Sequence, residues 1–230
     1  MASNPRALPA ATAVGAPAAA RCSTSAALDE LLEGNRRYAT GRARRGRISA
    51  QRPFAVVLDC IDSGILPELV FDQDLGDLLC IRTAGQVLDE AVLGSIQYAV
   101  AELRVPLVVV LGHEGCGAVA ATLGRLRTGA PVPGHLHLLV EEIAPAARRT
   151  RALPGDWAAH TVRAHAVWVR DAIRADSAFA GASVVAARFD PACGLVSLLP
   201  GGADPRCDAG ACPSAPGVPA AYRGPHDGRA

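Results

Sequence analysis

The sequence predicts an α/β domain with a mostly parallel central sheet flanked by helices, and three observations carry that prediction. Short continuous apolar runs occur at Phe54–Asp59, Leu78–Arg82 and Pro106–Leu111, which suits strands buried on both faces. Stretches of helical periodicity separate or follow them, and strand, crossover helix, strand is the grammar of parallel pairing with right-handed connections. The 230 residues are 50% hydrophobic and 20% charged, a balance that lets one domain bury a core without cross-links.

Residues 1–24 are mostly Ala, Pro, Ser and Thr. They bury too little to offset the entropy of ordering them, and read as a disordered leader. Pro9 and Pro17, with no leucine-rich stretch, argue against an export signal. Ser25–Tyr38 puts Ala27, Leu28, Leu31 and Leu32 on one side and charges on the other, as an amphipathic helix does. The first two strands follow at Phe54–Asp59 and Leu78–Arg82. Asp89–Glu102 reads as a helix, Pro106–Leu111 as the third strand and Gly117–Leu126 as the start of another helix. Two more helical stretches, Leu136–Arg149 and Trp157–Ala175, precede Ser183–Phe189, expected as the last strand. From Pro200 onward Gly, Pro, Ala and Asp dominate, and residues 201–230 read as a disordered tail. Cys207 and Cys212 in that tail lack the two-residue spacing of a zinc knuckle or redox pair. The domain itself is expected over residues 25–200.

Composition narrows the function. All 23 basic residues are arginine, and 22 acids balance them to a net charge of +1, without the basic excess of a nucleic-acid binder. The cluster Arg42, Arg44, Arg45 and Arg47 reads as a solvated loop. The longest strongly apolar run, Val105–Gly112, falls far short of the ~20 residues that cross a bilayer. Seven cysteines, an odd and widely spaced set, fit a reducing, cytoplasmic setting in which some serve as thiolate ligands or nucleophiles.

The chemistry gathers at strand ends, where loops of a parallel sheet converge on helix N-termini. The first strand runs into Cys60-Ile61-Asp62-Ser63-Gly64 and the third into Gly112-His113-Glu114-Gly115-Cys116-Gly117. If those strands are neighbours, Cys60, His113 and Cys116 come together as two thiolates and one imidazole, a three-ligand zinc set with an open fourth position. The glycines around His113 and Cys116 permit a tight turn. Cys80 and Cys193 lack such context and read as core thiols. His135 and His137, at i and i+2, point to different helix faces and do not form a ligand pair. His160 and His165 read as solvated or packed residues of an amphipathic helix.

With these motifs on view, the chain resembles the β-class carbonic anhydrases over about residues 25–200. The resemblance rests on C-x-D-S at Cys60–Ser63, P-E-x-x-F at Pro67–Phe71, G-D-L at Gly76–Leu78 and R-x-A-G at Arg82–Gly85. It continues through L-G-S-I-x-Y-A-V at Leu93–Val100 and G-H-x-x-C-G-A-V at Gly112–Val119, and Leu31–Tyr38 looks like the family's N-terminal arm. The resemblance implies reversible hydration of CO₂ to bicarbonate and a proton. It implies zinc held by Cys60, His113 and Cys116, with Asp62 as the catalytic acid beside the metal. Gln73 and Gly117 are the expected substrate contacts, Gln73 by similarity to a glutamine that reaches the site from a dimer interface and Gly117 through the positive end of its helix. Self-association as a dimer or tetramer, with the N-terminal helix packing on a second subunit, is likewise implied.

One position departs from the pattern. The family reads C-x-D-S-R, and this chain has Gly64 in place of the arginine that turns the aspartate away from the metal. Between Asp59 and Leu79 there is no arginine, so a substitute cation must come from Arg82 or a partner subunit. Two outcomes compete: Asp62 swings in as a fourth ligand and silences the site, or other donors, such as backbone N–H groups near Gly64, hold it open. The alternatives are therefore a silent, bicarbonate-binding or regulatory zinc protein and a CS₂ or COS hydrolase on the same scaffold.

Overall fold

The computed structural model describes residues 24–42, 52–62, 64 and 66–200. The expected leader up to residue 23, the tail 201–230 with Cys207 and Cys212, Arg44, Arg45 and Arg47, and Ser63 lie outside the described residues.

Five strands, β1 (Ala55–Cys60), β2 (Leu78–Thr83), β3 (Leu107–His113), β4 (Ser183–Asp190) and β5 (Leu195–Leu198), form one sheet in the order β2-β1-β3-β4-β5. The first four run parallel, and β5 returns antiparallel to β4. The expectation that Ser183–Phe189 is the last strand is thereby corrected. β5 has only four residues, too few for a periodicity to show, and it forms because the chain reverses between Asp190 and Gly194. There Asp190 Oδ1 accepts from Ala192 N at 2.9 Å and Asp190 O accepts from Gly194 N at 2.8 Å.

Every residue of β1 and β3 is buried, which explains their unbroken apolar runs. Alternate side chains feed two cores. On one face Val56, Leu58, Val108 and Val110 pack with residues of α3 (Glu90–Gln97) and α6 (Trp157–Ala175), among them Val92, Ile96, Ala166, Val169 and Ile173. On the other, Ala55, Val57, Leu107 and Val109 meet Phe71 and the apolar stripe Ala27 and Leu31 of α1 (Thr24–Ala39). The α1 helix docks on the chain's own sheet through buried Asn35, whose Nδ2 donates to Val70 O (3.0 Å) and Gly194 O (2.9 Å) while Oδ1 accepts from Val196 N (2.8 Å). A short helix, α2 (Pro67–Val70), lies in the connection to β2. The stretch expected as one helix over Asp89–Glu102 divides: Asp89 caps α3 by accepting from Val92 N, and Tyr98–Glu102 continue as a π turn. Helices α4 (Gly117–Thr128) and α5 (Leu136–Thr150) complete the layer with α6. No helix among the described residues is long and apolar enough to cross a membrane.

Candidate metal centre

In the order β2-β1-β3 the chain leaves β1 to one side and returns as β3 on the other, which opens a crevice at the carboxyl ends of these two strands. β1 ends on Cys60, with Asp62 two residues beyond. β3 ends on His113, and Cys116 is the residue before α4. The ligand atoms of Cys60, Asp62, His113 and Cys116 all lie within 4.8 Å of one another. The two sulfurs are 3.8 Å apart, and Asp62 Oδ1 stands 3.0 Å from Cys60 Sγ and 2.7 Å from His113 Nε2. Asp62 Oδ2 accepts the Gly117 N–H at 2.8 Å. Cys60, His113 and Cys116 are buried, whereas Asp62 forms the exposed mouth.

This set fits zinc. With Zn–S bonds of about 2.3 Å and a tetrahedral angle, two thiolates stand about 3.8 Å apart, the separation of Cys60 and Cys116. His113 Nδ1 pairs with the carbonyl of Glu114 at 3.0 Å; donating there leaves Nε2 as the lone-pair nitrogen. Buried Nε2 has no hydrogen-bond partner of good geometry, although it faces the Asp62 carboxylate. Two sulfurs, a nitrogen lone pair and a carboxylate oxygen thus converge on one point, and a divalent cation satisfies all four.

The electrostatics agree. Hydrogen bonding to Cys116, then burial, pushes the Cys60 thiol up, while the same bond from Cys60, with backbone N–H groups of Val119 and Ala118, pulls Cys116 down. The two thiols thus titrate as a coupled pair across their 3.8 Å contact at the start of α4, with Cys116 the one that gives up its proton more readily. Burial pushes Asp62 up, but hydrogen bonds from Cys60 and Gly117 and the charge of His113 outweigh it and hold the carboxyl below its usual range. Burial likewise opposes protonation of His113, yet Cys60 and Asp62 prevail and raise it.

Arg82 does not take the place of the missing arginine, and Asp62 turns its Oδ1 into the cluster. Arg82 pairs with buried Asp59 (Nε to Oδ2, 3.1 Å) and donates to Cys60 O (3.0 Å) and Ile61 O (3.4 Å), so it steadies the end of β1 and leaves the Asp62 carboxylate to the Gly117 amide. That contact needs glycine, since a Cβ on residue 117 would lie 2.6 Å from Asp62 Oδ2. Gly64 sits at φ 71, a left-handed backbone that arginine rarely adopts. Gln73 is buried beneath α1, where its Nε2 donates to Phe71 O (2.7 Å) and lies 3.5 Å from Glu30 Oε1; neither partner belongs to the metal cluster. His165 is buried with Nε2 on Gly85 O at 2.9 Å, and His137 and His160 pair with nearby carbonyls.

Three contacts of the site escaped the sequence reading. Gly85 N donates to Cys60 Sγ at 3.1 Å. Asp59 and Arg82 are direct partners in the β1–β2 register, and an acid inside an otherwise apolar strand was the signal for that pair. Glu114 had no signal beyond standing next to His113.

A sequence description of the family "Carbonic anhydrase" matches residues 55–184, more than half the chain. Carbonic anhydrase 2 of Mycobacterium tuberculosis is 47% identical over 129 residues, 52% of this chain and 62% of the relative. A carbonic anhydrase of Mycolicibacterium smegmatis is 49% identical over 129 residues, 52% of this chain and 63% of its own length. The match thus spans less than two thirds of these curated relatives. Among solved structures, a tetrameric β-carbonic anhydrase of Sordaria macrospora has a TM-score of 0.59 at 21% identity, covering 67% of this chain and 84% of that one. The Coccomyxa β-carbonic anhydrase in complex with acetazolamide has a TM-score of 0.58 at 22% identity, covering 75% and 81%. With the Cys60, Asp62, His113 and Cys116 cluster at the β1–β3 crevice, the chain belongs to the β-class carbonic anhydrase family.

Proposed function

We propose that the protein is a zinc-dependent carbonic anhydrase that interconverts CO₂ and bicarbonate. The observation that carries this is the convergence of Cys60, Asp62, His113 and Cys116 within 4.8 Å at the mouth of the β1–β3 crevice. The chemistry zinc would supply when bound is acidification of water, whose pKa falls to ~7, so that a nucleophile exists at neutral pH. Everything else falls to the chain. Cys60 and Cys116 would supply the negative charge that retains the cation, His113 would present Nε2, and the Asp62 carboxylate would accept a hydrogen bond at the reacting centre and orient the nucleophile. CO₂ itself is apolar and needs only a dry surface, for which Val87 and Val119, the apolar side chains clustered with the two cysteines, are the nearest candidates. The α4 N-terminus, whose first N–H at Gly117 here carries Asp62, favours the anionic product once Asp62 turns away.

The orientation of Asp62 favours a second reading. Its Oδ1 points into the cluster, so a metal seated there would have Cys60, His113, Cys116 and Asp62 as four protein ligands, a closed set of structural type. The chain is then a silent zinc protein unless Asp62 leaves. Stopped-flow CO₂ hydration by protein of known zinc content separates the two: turnover above the uncatalysed rate supports the enzyme, and a zinc-loaded chain without it supports the silent protein. Self-association as a dimer or tetramer belongs to the same proposal, in keeping with the tetrameric Sordaria macrospora relative; sedimentation at micromolar concentration tests it. Gln73 would reach a substrate only across such an interface, because in its own subunit it is tied to Phe71 and α1.

A further inference from the structure

We propose that the Glu114–Arg188 ion pair, backed by Arg163, is the positioning device for the metal ligand His113. Glu114 stands between His113, the last residue of β3, and Cys116, the residue before α4, and it is held at three atoms. Its amide donates to Phe189 O at 3.0 Å, which extends the β3–β4 ladder one residue past the end of β3. Its carboxylate meets Arg188 Nη1 of β4 at 2.6 Å and Arg163 Nη2 of α6 at 3.4 Å. Its carbonyl is the group that pairs with His113 Nδ1 at 3.0 Å.

The carbonyl is the functional end of this arrangement. Accepting the Nδ1–H fixes the imidazole tautomer and turns the Nε2 lone pair towards Cys60 and Cys116. That carbonyl belongs to the peptide joining Glu114 to Gly115, and Gly115 sits at φ 74. Glycine on one side makes this peptide plane easy to rotate, so the sequence leaves the carbonyl loose and the side chain of Glu114 must hold it. The side chain suits that task. Only 21% of it and 14% of the Arg188 side chain are exposed, so the pair is a short, charge-assisted hydrogen bond shielded from most of the solvent. Arg188 opposes Gly112 in the β3–β4 register, one step before His113, and its guanidinium thus reaches forward from a fixed strand to the loop.

The inference rests on the metal-centre reading, and the experiment separates the two. Full-length wild type, Glu114→Gln, Arg188→Met and Arg188→Lys are loaded with zinc, and transfer to a chromophoric chelator is timed. Each is also loaded with Co²⁺ and its visible absorption recorded. We expect Glu114→Gln and Arg188→Met to release zinc about ten- to hundredfold faster, the usual cost of losing the partner that orients a ligating histidine. Their Co²⁺ bands should shift, and Arg188→Lys should recover much of both. A brace for stability alone would lower the melting temperature and leave both readouts at wild-type values, and that result overturns the proposal. Should Arg188→Met not fold, the nearly isosteric Glu114→Gln decides alone. If the wild type takes up no zinc, the metal-centre reading itself falls, whereas zinc uptake with unaffected variants removes only the clamp.

Discussion

At the carboxyl end of β3 the loop His113–Gly117 is fastened to β4, to α6 and to the first turn of α4 through Glu114 and Cys116. At the carboxyl end of β1, among the described residues, Cys60 and Ile61 are fastened by Arg82 on their two carbonyls, by Gly85 on Cys60 Sγ and by the Ile61 amide on Thr83 O. Beyond Ile61, Asp62 is anchored by one amide and by the ligand cluster itself, and its side chain is 43% exposed. One loop is a rigid bracket that holds two ligands. The other delivers a cysteine held by Gly85 and a half-exposed carboxylate turned into the cluster.

The largest effects should follow from breaking the bracket. His113→Ala or Cys116→Ala should lower zinc from about one per chain to near zero and abolish CO₂ hydration, because only two of the three buried ligands then remain. Asp62→Asn should keep most of the zinc, since the three buried ligands suffice. Metal analysis after gel filtration reads both, and equal loss in Asp62→Asn would erase the distinction between the loops.

Acid should weaken the β1 side from behind. His165 makes its bond to Gly85 O, and Gly85 N in turn holds Cys60 Sγ. Burial lowers the His165 pKa from 6.5 to about 4. The folded chain thus keeps His165 neutral while the unfolded chain protonates it below pH ~6.5, so the unfolded state binds more protons between pH ~6.5 and ~4. Stability is complete above that window and falls through it as pH drops, by roughly 3 kcal/mol in total. Urea unfolding of the wild type and His165→Gln from pH 7 to pH 4 should show a steeper decline in the wild type; parallel curves would mean that His165 titrates normally.

A smaller change tests the hinge between the loops. Gly117→Ala places a Cβ against Asp62 Oδ2 and should cost about 1–3 kcal/mol through crowding and the loss of one charge-assisted bond. The bracket stays intact, so zinc content should hold while the Co²⁺ spectrum changes as Asp62 is displaced. An unchanged spectrum would show that Asp62 is not seated through Gly117.

Most of this architecture was legible in the sequence because it is written in local patterns. The fully buried strands announce themselves as unbroken apolar runs, and the helices by period, down to the bounds of Trp157–Ala175. Cys60, His113 and Cys116 were legible as a cluster once β1 and β3 were taken as neighbours. What escaped depends on partners far apart in the chain or on too few residues. β5 is four residues long, and α2 is a single turn. The Glu114–Arg188 clamp joins positions 74 residues apart, and nothing local to either distinguishes it from a surface charge. Arg82 was in view as a substitute for the missing arginine, but its register partner Asp59 claims it, a competition visible only once the strands are aligned.

Gly64→Arg puts the two loops to their finest test, because its two expected effects have opposite signs. The backbone at residue 64 has φ 71, and an arginine held there costs about 1 kcal/mol, or about 2–4 °C in a domain of this size. The new guanidinium, if it reaches Asp62, forms a bidentate pair that draws the carboxylate off His113 and opens the fourth position to solvent. Hydration of CO₂ should therefore rise while the melting temperature falls. A fall in stability alone would show that Asp62 already turns out unaided and that the arginine was dispensable. A rise in both would show that the loop abandons its left-handed turn when residue 64 gains a side chain, so that Gly64 shapes the mobile half of the site as much as the missing charge does.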